Sequence, residues 1–216
     1  MKEIFIENSH ESFADFHDSE WIKDLFQLVE GSFLENEVED FCSHWWGASR
    51  MFTLPWLLTK GVCDIAGLKD PDSLECVWNK YLENNAFKGA AWKTAENSYC
   101  SLYYAYENLI VAICCKLSGD KARVTNRDFN KKLIILLGEP TVTKVWTNSN
   151  VVLAKEIRNS IVHNGGKVTE KLEKMNFKNI SGNGDVFISA TDTRKLYISF
   201  KPLIRILLER ALKNGC

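Results

Sequence analysis

The stretch Trp92–Leu117, WKTAENSYCSLYYAYENLIVAICCKL, decides the fold. Within it Tyr99, Leu102, Tyr103, Tyr106, Ile110, Ile113 and Leu117 recur at three- and four-residue spacing, which is one face of an α-helix. Ser118-Gly119-Asp120 follows as a stop. A stripe this long must be covered by other elements, and the segments on either side show the same period.

On the N-terminal side, Ser19 can cap a helix carrying Trp21, Leu25, Leu28, Val29 and Phe33. The chain before it is polar and irregular, with Phe5, Phe13 and Phe16 as isolated anchors. An apolar segment from Phe41 to Ile65 contains Trp45-Trp46 and is expected to be interrupted at Pro55. Asp70-Pro71 opens a shorter helix that stops near Asn84-Asn85.

On the C-terminal side, a helix is expected over Asn126–Leu137, with Gly138-Glu139-Pro140 as a break. Another runs from about Asn148 to His163, where Gly165-Gly166 supply a left-handed stop. After Lys174 the pattern changes: Phe177–Ile180, the turn Ser181-Gly182-Asn183-Gly184 and Val186–Ser189 read as a β-hairpin. Thr191 or Asp192 then caps a last helix through Leu212, with Pro202 as its weak point. The expected fold is all-α, a helical bundle with one small β-hairpin before the last helix. Residues 1–90 are read as a helical extension packed on the core formed by residues 91–216.

Composition is compatible with one packed domain: 45% hydrophobic and 25% charged residues, with seven Trp among 216 residues. Met1–Glu7 has no basic start followed by a long apolar run, so no signal peptide is expected. The apolar run around Leu109–Cys115 is too short to span a bilayer. Seven cysteines without zinc-finger or CxxC spacing suggest reduced thiols, and hence a cytoplasmic protein without membrane attachment. The net charge of −1 hides a polarity: residues 1–115 carry 8 basic and 19 acidic side chains, residues 116–216 carry 19 and 9. That imbalance suggests a polyanionic partner for the second half, or internal neutralisation between the halves.

No phosphate-binding glycine loop, GxSxG elbow or HExxH helix is present. His10, His17 and His44 lie in the acidic half without ligand spacing, so neither a metal nor a cofactor is expected. What remains is Arg158-Asn159-Ser160-Ile161-Val162-His163. Five residues apart on a helix, the Arg and His directions differ by roughly 140°. Asn159, four residues before His163, lies nearly on its face. A long guanidinium can reach round such a face, so the three groups can converge at the helix end.

They suit metal-independent RNA hydrolysis. An imidazole can take the proton of a ribose 2′-hydroxyl or give one to the leaving 5′-oxygen. A guanidinium can hold phosphate oxygens by two parallel hydrogen bonds. One imidazole cannot easily do both proton transfers in a single step, and a second copy of the chain would supply another. On spacing alone, the pair is equally a helix-end His against the dipole and a surface Arg in an ion pair.

The segment Arg158-Asn159-Ser160-Ile161-Val162-His163-Asn164-Gly165 resembles the RNase motif of the HEPN family, an Arg, a polar residue, three variable residues and a His near the end of a bundle helix. The segment Tyr103–Leu109 resembles an earlier helix of that bundle, in which Glu107 matches a polar residue directed at the Arg/His pair. The resemblance covers about Trp92 to Leu212. It implies a homodimer with facing motifs and cleavage to a 2′,3′-cyclic phosphate, in a toxin–antitoxin or phage-defence setting with an antitoxin or regulatory protein partner. Some members carry a modified Tyr two residues after the His; here Gly165 stands there.

The expected roles are therefore Arg158 as phosphate clamp, His163 as general acid/base, Asn159 as orienting group and Glu107 as support. Lys155, Lys167 and Lys171 flank the motif and are candidates for tracking the RNA backbone. Two other readings stand beside the endoribonuclease. One is a non-catalytic HEPN-like module that binds RNA, a nucleotide or a protein. The other makes the acidic, Trp-rich first half the functional face, although Trp45, Trp46 and Trp56 read more readily as core.

Overall fold

The longest helix begins where Asn84 Oδ1 accepts from the amides of Ala86 and Phe87 at 2.8 and 3.3 Å. It ends where Gly119, at φ 71°, donates its amide to the Cys115 carbonyl. In the computed structural model, which describes residues 8–175 and 177–215, this element is α4 (Asn85–Ser118). Before it come α1 (Ser19–Val29), α2 (Glu35–Ile65) and α3 (Pro71–Leu82). After it come α5 (Phe129–Leu137), α6 (Glu139–Val145), α7 (Ser149–His163), α8 (Glu170–Lys174) and α9 (Ala190–Asn214). The fold is an all-α bundle.

Helix α4 is the axis of the bundle and touches α2, α3, α5, α7 and α9. Its stripe is buried: Leu102, Tyr103, Tyr106, Ile110 and Ile113 have no exposed surface. Burial of each such side chain contributes about 1.5–3 kcal/mol. The same cluster includes Leu25, Val38 and Trp45 from the first ninety residues and Leu133, Ile157 and Leu207 from the second half. The 90/91 boundary falls inside α4, and the core is shared across it. A satellite cluster joins Phe13, Phe52, Trp78, Ala91, Ala95 and Ala190.

The first half is tied to α9 by a buried polar network. Asp18 accepts from Tyr197 Oη at 2.8 Å, Ser49 Oγ at 3.2 Å and Arg50 Nη2 at 3.4 Å. Phe16 stacks on Tyr197 with centroids 3.8 Å apart, and Phe13 on Phe52 at 5.4 Å. These two Phe are anchors, as expected, while Phe5 lies outside the described residues. Trp45 is fully buried and Trp56 partly so, but Trp46 is half-exposed. The six described cysteines are free thiols. Among the described residues no helix is long and apolar enough to cross a membrane.

Several local expectations need correction. Pro55 does not interrupt α2: the helix runs through it, with the proline buried and its carbonyl accepting from Thr59 Oγ1 at 2.8 Å. Packing of both halves against the core outweighs the one hydrogen bond a proline removes. Pro202 likewise lies within a continuous α9. Gly138 forms the expected break, and a further short helix follows it directly. At φ 82° Gly138 donates to Ile134 O, closing α5, and its carbonyl accepts from Val142, opening α6 with Pro140 in the first turn.

The cap of α9 is Ser189, with Asp192 as the reciprocal partner of a capping box, not Thr191 or Asp192 as cap. The expected hairpin is reduced to its turn and isolated bridges. Ser181 N donates to Asp185 O at 2.8 Å, and Ile180 bridges Val186. The returning segment also pairs with the chain after α7, through Val186 N to Gly166 O and Val168 N to Gly184 O. No strand ladder forms among the described residues, because the connection divides its pairing between two neighbours.

Candidate active site

Helix α7 carries the motif. Asn148 caps its start, accepting from Val151 N at 3.0 Å. At its end the Ser160 carbonyl accepts from both Asn164 N and Gly166 N, while Gly165 and Gly166 take φ of 60° and 79°. A side chain other than glycine would be strained there, so the chain leaves the helix immediately after His163. The His163 ring is thereby exposed at the helix end, while Arg158 and Asn159 are half-buried and Ser160 fully buried.

The three motif side chains meet. Arg158 Nη1 donates to Asn159 Oδ1 at 3.1 Å and lies 3.0 Å from His163 Nε2. A guanidinium is a donor only, so Nε2 accepts, and the ring hydrogen must sit on Nδ1. The side-chain reach inferred from helical geometry is thus realised, with Asn159 anchoring the arginine.

Glu107 makes no hydrogen bond or ion pair with Arg158 or His163 among the described residues; the charges of Glu107 and Arg158 both act on Tyr103. On α4 the positions Glu96, Cys100, Tyr103 and Glu107 are four, three and four residues apart and share one face. Burial pushes the Tyr103 hydroxyl above its ordinary range; the Glu107 carboxylate adds to this and the Arg158 charge opposes it. Burial likewise pushes the Cys100 thiol up to about 12, with Glu96 adding and Arg158 and Lys93 opposing. Arg158 is therefore within electrostatic reach of Cys100 and Tyr103 on this face of α4.

The three flanking lysines are each engaged within the chain. Lys155 lies over the Trp146 ring at 5.0 Å. Lys167 pairs with Asp185 at 2.7 Å and donates to Asn183 O at 3.1 Å. Lys171 pairs with the buried Glu156 at 2.5 Å. Part of the basic excess of the second half is thus neutralised locally. Among the described residues no three His, Cys, Asp or Glu side chains gather to hold a metal ion.

Beside the motif lies a cavity of about 310 Å³, lined by Trp92, Lys93 and Glu96 of α4, Ile161, Gly165 and Gly166 around the end of α7, and the segment Ile180–Phe187. The residues that form it escape a reading along the chain. The available signal was the polar row Glu96–Cys100–Tyr103–Glu107 running beneath the motif helix; Phe187 gave none, since its position depends on how the connector folds back.

No family model, curated protein or solved structure matches the chain. The functional reading therefore rests on the residues and their geometry.

Proposed function

We propose that this chain is a HEPN-type endoribonuclease that cleaves RNA without a metal and acts as a homodimer. The observation that carries the reading is the 3.0 Å contact between Arg158 Nη1 and His163 Nε2 at an exposed helix end. It supplies a phosphate-binding cation and an unprotonated ring nitrogen within one hydrogen bond of each other.

The chemistry follows from that contact. A phosphate arriving at the guanidinium competes for Nη1, and when Arg158 turns to the phosphate oxygens, His163 Nε2 is released. The freed nitrogen takes the 2′-hydroxyl proton as the 2′-oxygen bonds to phosphorus. The bond from phosphorus to the 5′-oxygen breaks, and that oxygen takes a proton from the second imidazole, which is contributed by the other copy and enters the step as an imidazolium protonated at Nε2. The products are a 2′,3′-cyclic phosphate and a 5′-hydroxyl. Asn159 steadies Arg158, and Tyr103 with Glu107 fixes the α4 wall behind it. A toxin–antitoxin or phage-defence role, with a protein partner restraining the activity, fits such a nuclease.

The test is cleavage of a labelled single-stranded RNA by purified full-length protein in EDTA. Wild type is expected to leave cyclic phosphate ends, and His163→Ala to abolish cleavage. Arg158→Ala is expected to lower the rate by ~10²–10³-fold, the usual cost of losing one preorganised charge-stabilising donor. Absence of cleavage by wild type, or full activity of His163→Ala, overturns the proposal.

A further inference from the structure

The cavity beside the motif has the composition of a base-reading pocket. Its volume of about 310 Å³ lies at the lower end of the ~300–1,000 Å³ usual for ligand sites. That suits one nucleobase with part of its sugar. Two aromatic side chains, Trp92 and Phe187, line it, and aromatic surfaces of this kind hold the unstacked bases of single-stranded RNA. Gly165, Gly166 and Gly182 add backbone without side-chain bulk.

Its polar groups are specific. Glu96 is 4% exposed, a carboxylate almost wholly withdrawn from water yet lining the cavity. Its Oε1 accepts from Lys93, whose own side chain is 52% exposed and lies 4.4 Å from the Trp92 ring centroid. The Trp92 indole N–H is buried without a hydrogen-bond partner among the described residues, and orphan donors of this kind are uncommon in folded proteins. The other charged residue lining the cavity is Asp185, which is paired with Lys167 at 2.7 Å. The lining thus offers an acceptor-only carboxylate beside a lysine ammonium, and no excess of positive charge. This suits the edge of a base and not a phosphate.

Among the four RNA bases, only guanine presents two adjacent donors, N1–H and N2–H, to match the two oxygens of a carboxylate. Its O6 and N7 acceptors suit the Lys93 ammonium. Because Lys93 is half-exposed, a base can displace it from Glu96 without stranding its charge away from water. The site is also next to the motif. Gly165 is two residues from His163, and Cys100 feels the charges of both Glu96 and Arg158.

We propose that this cavity binds a guanine base, with Glu96 reading its N1–H and N2–H edge between Trp92 and Phe187, so that RNA is engaged beside a guanosine. The inference rests on the ribonuclease reading for its consequence in cleavage, but its binding test does not need activity.

Titration calorimetry of the full chain with GMP, AMP, CMP and UMP, and with guanosine, tests it. GMP is expected to bind at least ~10-fold more tightly than the other three nucleotides, as bonds to a charged group allow. Guanosine should keep the base-dependent part of that binding. Glu96→Gln, which replaces one acceptor oxygen by a donor amide, should remove the preference, and so should Glu96→Ala, which removes both oxygens. Equal binding of all four nucleotides, no binding, or an unchanged preference in both variants overturns the proposal. Guanine-selective binding by a protein that cleaves nothing sinks the ribonuclease reading alone. Cleavage indifferent to guanine sinks this one alone.

Discussion

Arg158 and His163 share a hydrogen bond of 3.0 Å from Nη1 to Nε2, although five residues of helix separate them. The arginine side chain bends along the last turn of α7 to the ring, and Asn159 holds it there at 3.1 Å. Imidazole and guanidinium therefore occupy one another, and any ligand that draws the guanidinium away frees Nε2 of the imidazole.

Substitutions at Asn159 separate positioning from charge. Asn159→Ala removes the anchor and is expected to cost less than ~10-fold in cleavage rate, as a single neutral hydrogen bond does. Asn159→Asp is expected to cost more, because a carboxylate forms an ion pair with the guanidinium and competes with phosphate. The signature is a rise in KM larger than the fall in kcat, measured by single-substrate kinetics. An Asn159→Asp protein indistinguishable from wild type counts against the phosphate-clamp role of Arg158.

The proposed mechanism uses His163 twice and so calls for two chains. Light scattering at concentrations that support cleavage is expected to give twice the 24.7 kDa mass of the chain. Activity per chain should fall on dilution below the dimer dissociation constant. A monomer that cleaves at full rate would remove the second copy from the mechanism.

Stability at the N-terminal side should depend on Asp18. It is 3% exposed and accepts from Tyr197, Ser49 and Arg50. Asp18→Ala leaves Tyr197 Oη without its acceptor, while Ser49 keeps Trp46 O and Arg50 keeps Asp15; it is expected to destabilise the fold by ~1–3 kcal/mol. Tyr197→Phe, which loses one donor, should cost ~1–2 kcal/mol. Urea unfolding midpoints at unchanged slope are the measurement, and a change within ~0.5 kcal/mol for Asp18→Ala contradicts the buried network.

Asp15 gives the pH dependence a sign. The Arg50 guanidinium, 2.5 Å away, holds its carboxyl below the ordinary value of 3.8. A group whose folded value is depressed stabilises the fold above its unfolded value, and that contribution is lost as pH falls through the folded one. Melting temperatures of wild type and Asp15→Asn should therefore differ at neutral pH and converge below about pH 4. A difference that persists or widens in acid would show that the ion pair is not its source.

In contrast, Ile65 is 91% exposed on α2, and Ile65→Lys should change stability by less than ~0.5 kcal/mol. A larger loss in chemical denaturation would mean that this end of α2 is covered in solution.

Much of the architecture was legible along the chain. The period of Tyr99 to Leu117, the Asp70 and Asn148 caps and the glycines at 119, 165 and 166 are local signals, and local hydrogen bonding acts on them directly. Where expectation failed, tertiary packing outweighed a local rule: α2 continues through a buried Pro55, and the segment before α9 divides its pairing between two neighbours instead of closing a hairpin. The meeting of Arg158, Asn159 and His163 was also local, because one helix fixes all three. Only the tertiary structure decided what surrounds them. Tyr103 and Glu107 come from α4, the flanking lysines are captured by Trp146, Asp185 and Glu156, and Phe187 folds back to face Trp92 and Glu96 across a cavity. Spacing along a helix sets which side chains share a face; what that face meets depends on the packing of segments distant in the chain.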